Sequence, residues 1–256
     1  MASVRLADVS VDFPIYSAPS RSLKNQFLAA GTGGRIGAKD GRVSIKALDR
    51  VSMTIEHGER VGLVGHNGAG KTTLLRVIAG IYEPVTGWVA VEGRSVPLFD
   101  VGLGTDPESS GYENIQLRGL FLGLSKAEIR RKTDEIAEFT GLGPFLDMPL
   151  RTYSSGMQAR LSFAISTCIE PEILLLDEGI GAGDAAFMEQ ASRRLDQLVQ
   201  QTGILVLASH SEGLLRRLCN KAFLFEHGRV VAEGSVEEIL ARYRSPPNSE
   251  LDKSAG

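Results

Sequence analysis

Cysteine is nearly absent from this chain of 256 residues: there are two, Cys168 and Cys219, far apart and each among apolar neighbours. That excludes a disulfide framework and offers no metal-ligand spacing, so both read as buried structural thiols in a reducing compartment. Charge of one sign is equally scarce. Lysine and arginine total 28 against 31 acids, a net charge of −3, and bulk charge gives no case for a nucleic-acid partner. No apolar run approaches the ~18 residues that a membrane span needs. The start, MASVRLADVSVDF, lacks the charged-then-apolar layout of a secretory signal. The expectation is a cytoplasmic protein that something else must hold if it works at a membrane. What is present is ordinary globular composition, 43% hydrophobic and 23% charged, long enough for one large or two small domains.

Residues 3 to 13 alternate imperfectly through Val4, Leu6, Val9, Val11 and Phe13, the pattern of a strand. Residues 17 to 42 carry glycines and a basic excess (Arg21, Lys24, Arg35, Lys39, Arg42 against Asp40). Leu23, Phe27 and Leu28 could line a short helix there, and a surface loop is the alternative. Strand pattern resumes from Val43 to Val64 with a turn at His57-Gly58, and a helix should follow over Lys71–Ala79. Short strands are expected near Trp88–Val91 and Val96–Phe99, and mainly helix between about 111 and 168. Strand and helix then alternate through EILLLD, AAFMEQASRRLDQLVQQ, ILVLAS and SEGLLRRLC. A hairpin, KAFLFEHGRVVAEG, and a helix, SVEEILARY, close the fold before the polar tail SPPNSELDKSAG. This order implies an α/β protein with a mostly parallel, covered sheet and a helical insertion.

GLVGHNGAGKTT contains G-x-x-x-x-G-K-[ST] between an apolar strand and a helix. The loop runs Gly65-His66-Asn67-Gly68-Ala69-Gly70-Lys71-Thr72-Thr73. Its glycines let backbone N–H groups wrap β- and γ-phosphates, Lys71 adds a positive charge, and the Thr72 hydroxyl can ligate Mg²⁺. The competing explanation is a glycine-rich turn with a chance lysine. Downstream, Asp177 and Glu178 end the apolar strand Ile173–Leu176, the position that faces a ligand crevice in parallel sheets. Asp177 would orient Mg²⁺ through water, and Glu178 would act as base or positioner for the attacking water. Two acids could also simply favour the dipole of a following helix. His210 follows the next strand, where it could meet a γ-phosphate, or be structural. His57 and His227 sit in H-G turns.

A second small-residue helix start, YSSGMQARLSFA, has no phosphate of its own in this scheme. In order and interval, these segments resemble the nucleotide-binding subunit of ABC transporters. GHNGAGKTT looks like the Walker A motif, ILLLDE the Walker B with its catalytic glutamate, GAGD (Gly181–Asp184) the D-loop, and His210 the switch histidine. Tyr153, Ser154, Ser155, Gly156 and Met157 occupy the five places of the signature usually written LSGGQ. The resemblance covers Val4 to Tyr243 and implies a P-loop NTPase cassette with a RecA-like core, an antiparallel β subdomain and a helical subdomain over about 101–168. Residues 244–256 would be a polar tail.

It implies further that two chains sandwich two ATP molecules head to tail, so that Ser154, Ser155 and Gly156 meet the γ-phosphate on the partner's phosphate loop. Phe13 matches the aromatic that stacks on adenine, with Tyr16 an alternative and core packing a rival explanation for Phe13. The sequence departs from the family at Ser155, at Met157, and in VPLFDVGLGTDPESSGYENI, where Asp100 or Val101 stands in place of the Q-loop glutamine. DFPIY with its basic insertion, the glutamine-free loop and YSSGM look like one subfamily, the exporters of bacterial surface polysaccharides. That likeness implies two cassettes on two copies of a separate permease at the cytoplasmic face of the inner membrane, moving a lipid-pyrophosphate-linked glycan; some members add a C-terminal carbohydrate-binding domain, and none is expected here. Arg21, Lys24 and Arg35 would then face anionic head groups or the pyrophosphate. Rival readings are a soluble ABC ATPase, a P-loop kinase or GTPase, and an ABC transporter for another cargo.

Overall fold

A computed structural model describes residues 1–15, 36–39, 42–99, 103–177 and 185–245. The chain forms two compact units, Ser3–Glu92 with Val206–Gly256, and Met1–Ala2 with Gly93–Leu205.

In the first unit, strands β1 (Ser3–Ile15), β2 (Ile36–Lys39), β3 (Arg42–Glu56) and β5 (Thr86–Glu92) form an antiparallel sheet in the order β2-β3-β1-β5. The imperfect alternation of β1 has a cause. Val4 and Leu6 are buried, and so are Val9 and Val11, one step out of phase. Between them the register with β3 shifts, Asp8 takes φ 49° and Arg50 on β3 takes φ 52°. These bulges return the side chains that follow to the core face. Within residues 17–42, strand β2 corrects the surface-loop alternative for its own four residues: Ile36–Lys39 pairs with Arg42–Ile45. The proposed helix around Leu23–Leu28 lies outside the described residues.

The same unit holds β4 (Arg60–Val64), β9 (Lys221–Glu226) and β10 (Arg229–Gly234). β4 runs parallel to β9, and β9–β10 is the expected hairpin. His227 and Gly228 both have positive φ, 51° and 80°, which suits the tight two-residue turn joining those strands. Helix α1 (Lys71–Ile78) follows β4, and the C-terminal part of β8 (Ile204–Ala208) lies beside it in the order β10-β9-β4-β8. Helix α6 (Glu212–Leu218) and helix α7 (Val236–Arg244) complete this unit. Ser235 and Glu238 form a capping box on α7, which buries Val236, Ile239 and Leu240.

The second unit contains the start of β8, β7 (Ile173–Asp177) and β6 (Ser95–Pro97), with β6 and β7 parallel. Its helices are α2 (Gly111–Phe121), α3 (Lys126–Thr140), α4 (Ser155–Thr167) and α5 (Ala185–Gln201). Capping boxes start α2 (Ser110, Glu113) and α3 (Ser125, Glu128), and Gly141 at φ 63° ends α3. Phe139, Phe163 and Phe187 join α3, α4 and α5 with ring centroids 5.9–6.0 Å apart. Arg118 is 3% exposed; it donates to the Leu103 carbonyl at 2.7 Å and to the Ser166 hydroxyl, tying a loop and α4 to α2. Cys168 is buried, but Cys219 is only half-buried because it sits at the C-terminal end of α6. Among the described residues, no helix is long and apolar enough to cross a membrane.

Candidate functional site

The phosphate loop leaves the carboxyl end of β4 and enters α1 as its sequence pattern requires. Gly65, Gly68 and Gly70 take φ 153°, 74° and 110°. A Cβ at Gly65 would lie 2.3 Å from the Phe225 carbonyl oxygen, and one at Gly70 would lie 2.7 Å from that of Ala47. The loop thus needs these glycines for its own packing against β9 and β3. Gly70 caps α1 without a side-chain hydrogen bond, and no acid occupies the first turn. The helix start therefore presents the positive end of its dipole at the loop, with Lys71, Thr72 and Thr73 as its first three residues.

Lys71 is 8% exposed. Its Nζ donates to the Gly65 carbonyl at 2.5 Å and the His66 carbonyl at 3.1 Å, and lies 3.5 Å from His210 Nε2. The lysine and the histidine, distant in sequence, thus share one place in the first unit. His66, Asn67 and Gly68 are exposed. Phe13 is also exposed, at 36%, so it is not the core residue that was its alternative reading. Its ring meets Tyr82 edge-on, centroids 5.3 Å apart, and Tyr82 is steadied by Arg76 of α1. Sequence inspection missed Tyr82, because nothing in its local pattern pairs it with β1. Tyr16 lies outside the described residues. The residues present fit a nucleoside triphosphate: a buried cation, a helix start with no side-chain cap and an exposed aromatic all belong to one compact unit.

In the second unit, Asp177 ends β7 and is half-buried, while Glu178 and Gly181–Asp184 lie outside the described residues, as do Asp100 and Val101. The signature-like segment forms the start of α4. Ser154 is its N-cap and accepts from the Met157 N–H at 3.3 Å; Ser155 and Gly156 follow as the first helical residues. A hydroxyl oxygen that accepts one bond still carries a proton to donate. Ser154 and Ser155 are exposed, and among the described residues a Cβ on Gly156 would find only Ser154 Oγ, at 3.9 Å. Tyr153 is buried with its hydroxyl donating to the Phe145 carbonyl at 2.6 Å, and burial raises its pKa. It anchors the turn and leaves the serines outside.

The sequence profile of the ABC transporter family matches residues 48–181. The chain belongs to the ABC transporter family. This ABC ATPase is 49% identical to the O-antigen export system ATP-binding protein RfbE of Yersinia enterocolitica, over 91% of this chain and 98% of that protein. It is 42% identical to RfbB of Myxococcus xanthus over 78% of this chain, which spans about half of that relative (46%). It is 35% identical to the teichoic acids export protein TagH of Bacillus cereus over 95% of this chain and 42% of TagH. A solved ATP-binding subunit of an ABC transporter shares the fold at TM-score 0.66 with 22% identity, over 94% of this chain and 93% of that one. The ATP-binding cassette MJ0796 shares it at TM-score 0.65 and 21% identity, over 91% and 98%.

Proposed function

We propose that this ABC ATPase powers export of a lipid-pyrophosphate-linked surface polysaccharide across the bacterial cytoplasmic membrane. The observation that carries this reading is the 49% identity running along 98% of the Yersinia O-antigen export protein. It works as a homodimer at the cytoplasmic face, on two copies of a separate permease. Support for a docked permease comes from exposed apolar residues on one face of α2: Leu117 (41%), Leu120 (44%) and Phe121 (50%).

In the site we propose, Lys71 and the N–H groups of the loop hold the β- and γ-phosphates, and Phe13 stacks on the base. Thr72, and Asp177 through water, are the residues that would hold Mg²⁺, which supplies charge neutralisation on those oxygens. Glu178 orients and deprotonates the attacking water, and His210 contacts the γ-phosphate beside Lys71. Ser154 donates its hydroxyl proton, and α4 its first N–H groups, to the γ-phosphate on the partner's loop. Closure of the dimer then depends on that anion, and its loss on hydrolysis lets the subunits part. The reading is tested with Glu178→Gln: the variant should bind ATP, hydrolyse it poorly and accumulate as an ATP-dependent dimer. A protein that stays monomeric with ATP and Mg²⁺ would remove the sandwich. Deleting the chain from its host should leave a lipid-linked glycan inside the cell; accumulation of a different cargo would replace the glycan assignment.

A further inference from the structure

The last turn of α7 touches two segments of the nucleotide site at once. The Tyr243 ring lies against His66 of the phosphate loop, centroids 5.0 Å apart and tilted by 50°, with the phenol oxygen 3.3 Å from His66 Nδ1. The next residue, Arg244, forks onto Glu212: Nε donates to Oε1 at 2.8 Å and Nη2 to Oε2. Glu212 opens α6, two residues beyond His210. It also accepts from Arg216 Nη1 at 3.0 Å, and Arg216 Nε donates in turn to Glu237 at the start of α7, at 2.8 Å. Exposed pairs of this kind contribute little singly, but a connected network with a bidentate arginine fixes geometry. With Val236, Ile239 and Leu240 buried beneath it, α7 is seated independently of Tyr243.

Across the contact, His66 has a second task. Its carbonyl oxygen accepts from Lys71 Nζ at 3.1 Å and from the Ala69 N–H at 3.0 Å. The side chain of His66 is thus held from α7 while its main chain holds the lysine. We infer that the last turn of α7 is a clasp that sets the phosphate loop, with Tyr243 and Arg244 as positioning residues acting through His66. Neither meets the nucleotide; they fix the carbonyl on which Lys71 is aligned, and any partner that engages this end of α7 changes nucleotide affinity. The inference rests on Gly65–Thr73 being the nucleotide site.

The test compares ATP affinity, KM and kcat of purified full-length variants. Tyr243→Ala should weaken ATP binding and raise KM about three- to tenfold, the worth of one hydrogen bond and its ring contact, with kcat at saturation held. Tyr243→Phe, which keeps the ring, should fall between. His66→Ala should weaken binding to a similar degree, and the double variant His66→Ala/Tyr243→Ala should be no weaker than either alone. Arg244→Ala should raise KM in the native background and be silent on His66→Ala. Simple loss of folded protein would lower kcat at constant KM, the opposite pattern. Unchanged affinity in Tyr243→Ala, or additive losses in the double variant, overturns the clasp. Lys71→Ala separates the two levels. If it binds ATP normally, the nucleotide-site reading fails and the clasp with it; if it loses ATP while Tyr243→Ala is silent, the clasp alone fails.

Discussion

Replacing Gly156 with alanine should make the isolated chain more stable and the enzyme worse. Gly156 is the second residue of α4, and its backbone does not take positive φ. An added Cβ would meet nothing nearer than Ser154 Oγ at 3.9 Å. Among the described residues nothing therefore needs glycine here, in contrast to Gly111, where a Cβ would lie 2.4 Å from the Tyr153 hydroxyl. Alanine lowers the unfolded-state entropy and favours helix, worth about 0.5–1 kcal/mol. For a chain of this size that corresponds to roughly 1–4 °C in Tm. If the partner's γ-phosphate approaches the Ser155 and Gly156 N–H groups, the new methyl group stands in its path. Losing one preorganised donor of this kind costs about tenfold or more in turnover. Differential scanning calorimetry and ATPase assays on the same preparation read both effects. A Gly156→Ala protein that melts lower, or hydrolyses ATP at the native rate, would refute this explanation of the glycine.

Other outcomes follow from the same contacts. Arg118→Met leaves the Leu103 carbonyl and Ser166 hydroxyl without their buried donor and should destabilise the chain by about 2–4 kcal/mol in urea unfolding; a loss under about 1 kcal/mol would show the arginine to be dispensable. Glu212 is held below its ordinary pKa chiefly by the Arg244 hydrogen bond, against the effect of burial, with Arg216 assisting. A depressed folded-state pKa contributes stability above the unfolded carboxylate value, lost as pH falls through the folded one. Tm of native protein and Glu212→Gln should therefore differ at neutral pH and converge in acid. Burial pushes the thiols of Cys168 to about 11 and Cys219 to about 12, so both should resist alkylation at pH 8 until the protein is unfolded; rapid labelling of folded protein contradicts that.

Much of the site was legible because its chemistry is local. A strand, a glycine loop, Lys71 and a helix occur in one run, and the strand ends at Asp177 and Ala208 follow from short apolar segments. Helix α5 could be bounded residue by residue, since its apolar period is unbroken. What was hidden depends on distance or on small departures from pattern. Tyr243 and His66 are 177 residues apart, and no periodicity links them. The exposure of Phe13 reflects its place near the end of β1, which alternation alone cannot distinguish from a core position. Strand β2 was missed because glycines and cations dominate residues 17–42, although Asp40-Gly41 between Lys39 and Arg42 is a hairpin dipeptide. Cys219 was placed too deep because apolar neighbours in sequence do not report the end of a helix.

The central claim is that the start of α4 serves the nucleotide of a second chain. Asn67 and Ser155 are both exposed, so Asn67→Cys and Ser155→Cys can be combined in the Glu178→Gln chain, where the native thiols stay out of the reaction. With a short bismaleimide, ATP should produce a covalent dimer on a denaturing gel, and its absence should leave monomer. A dimer that forms equally without ATP, or monomer alone in its presence, would contradict the account.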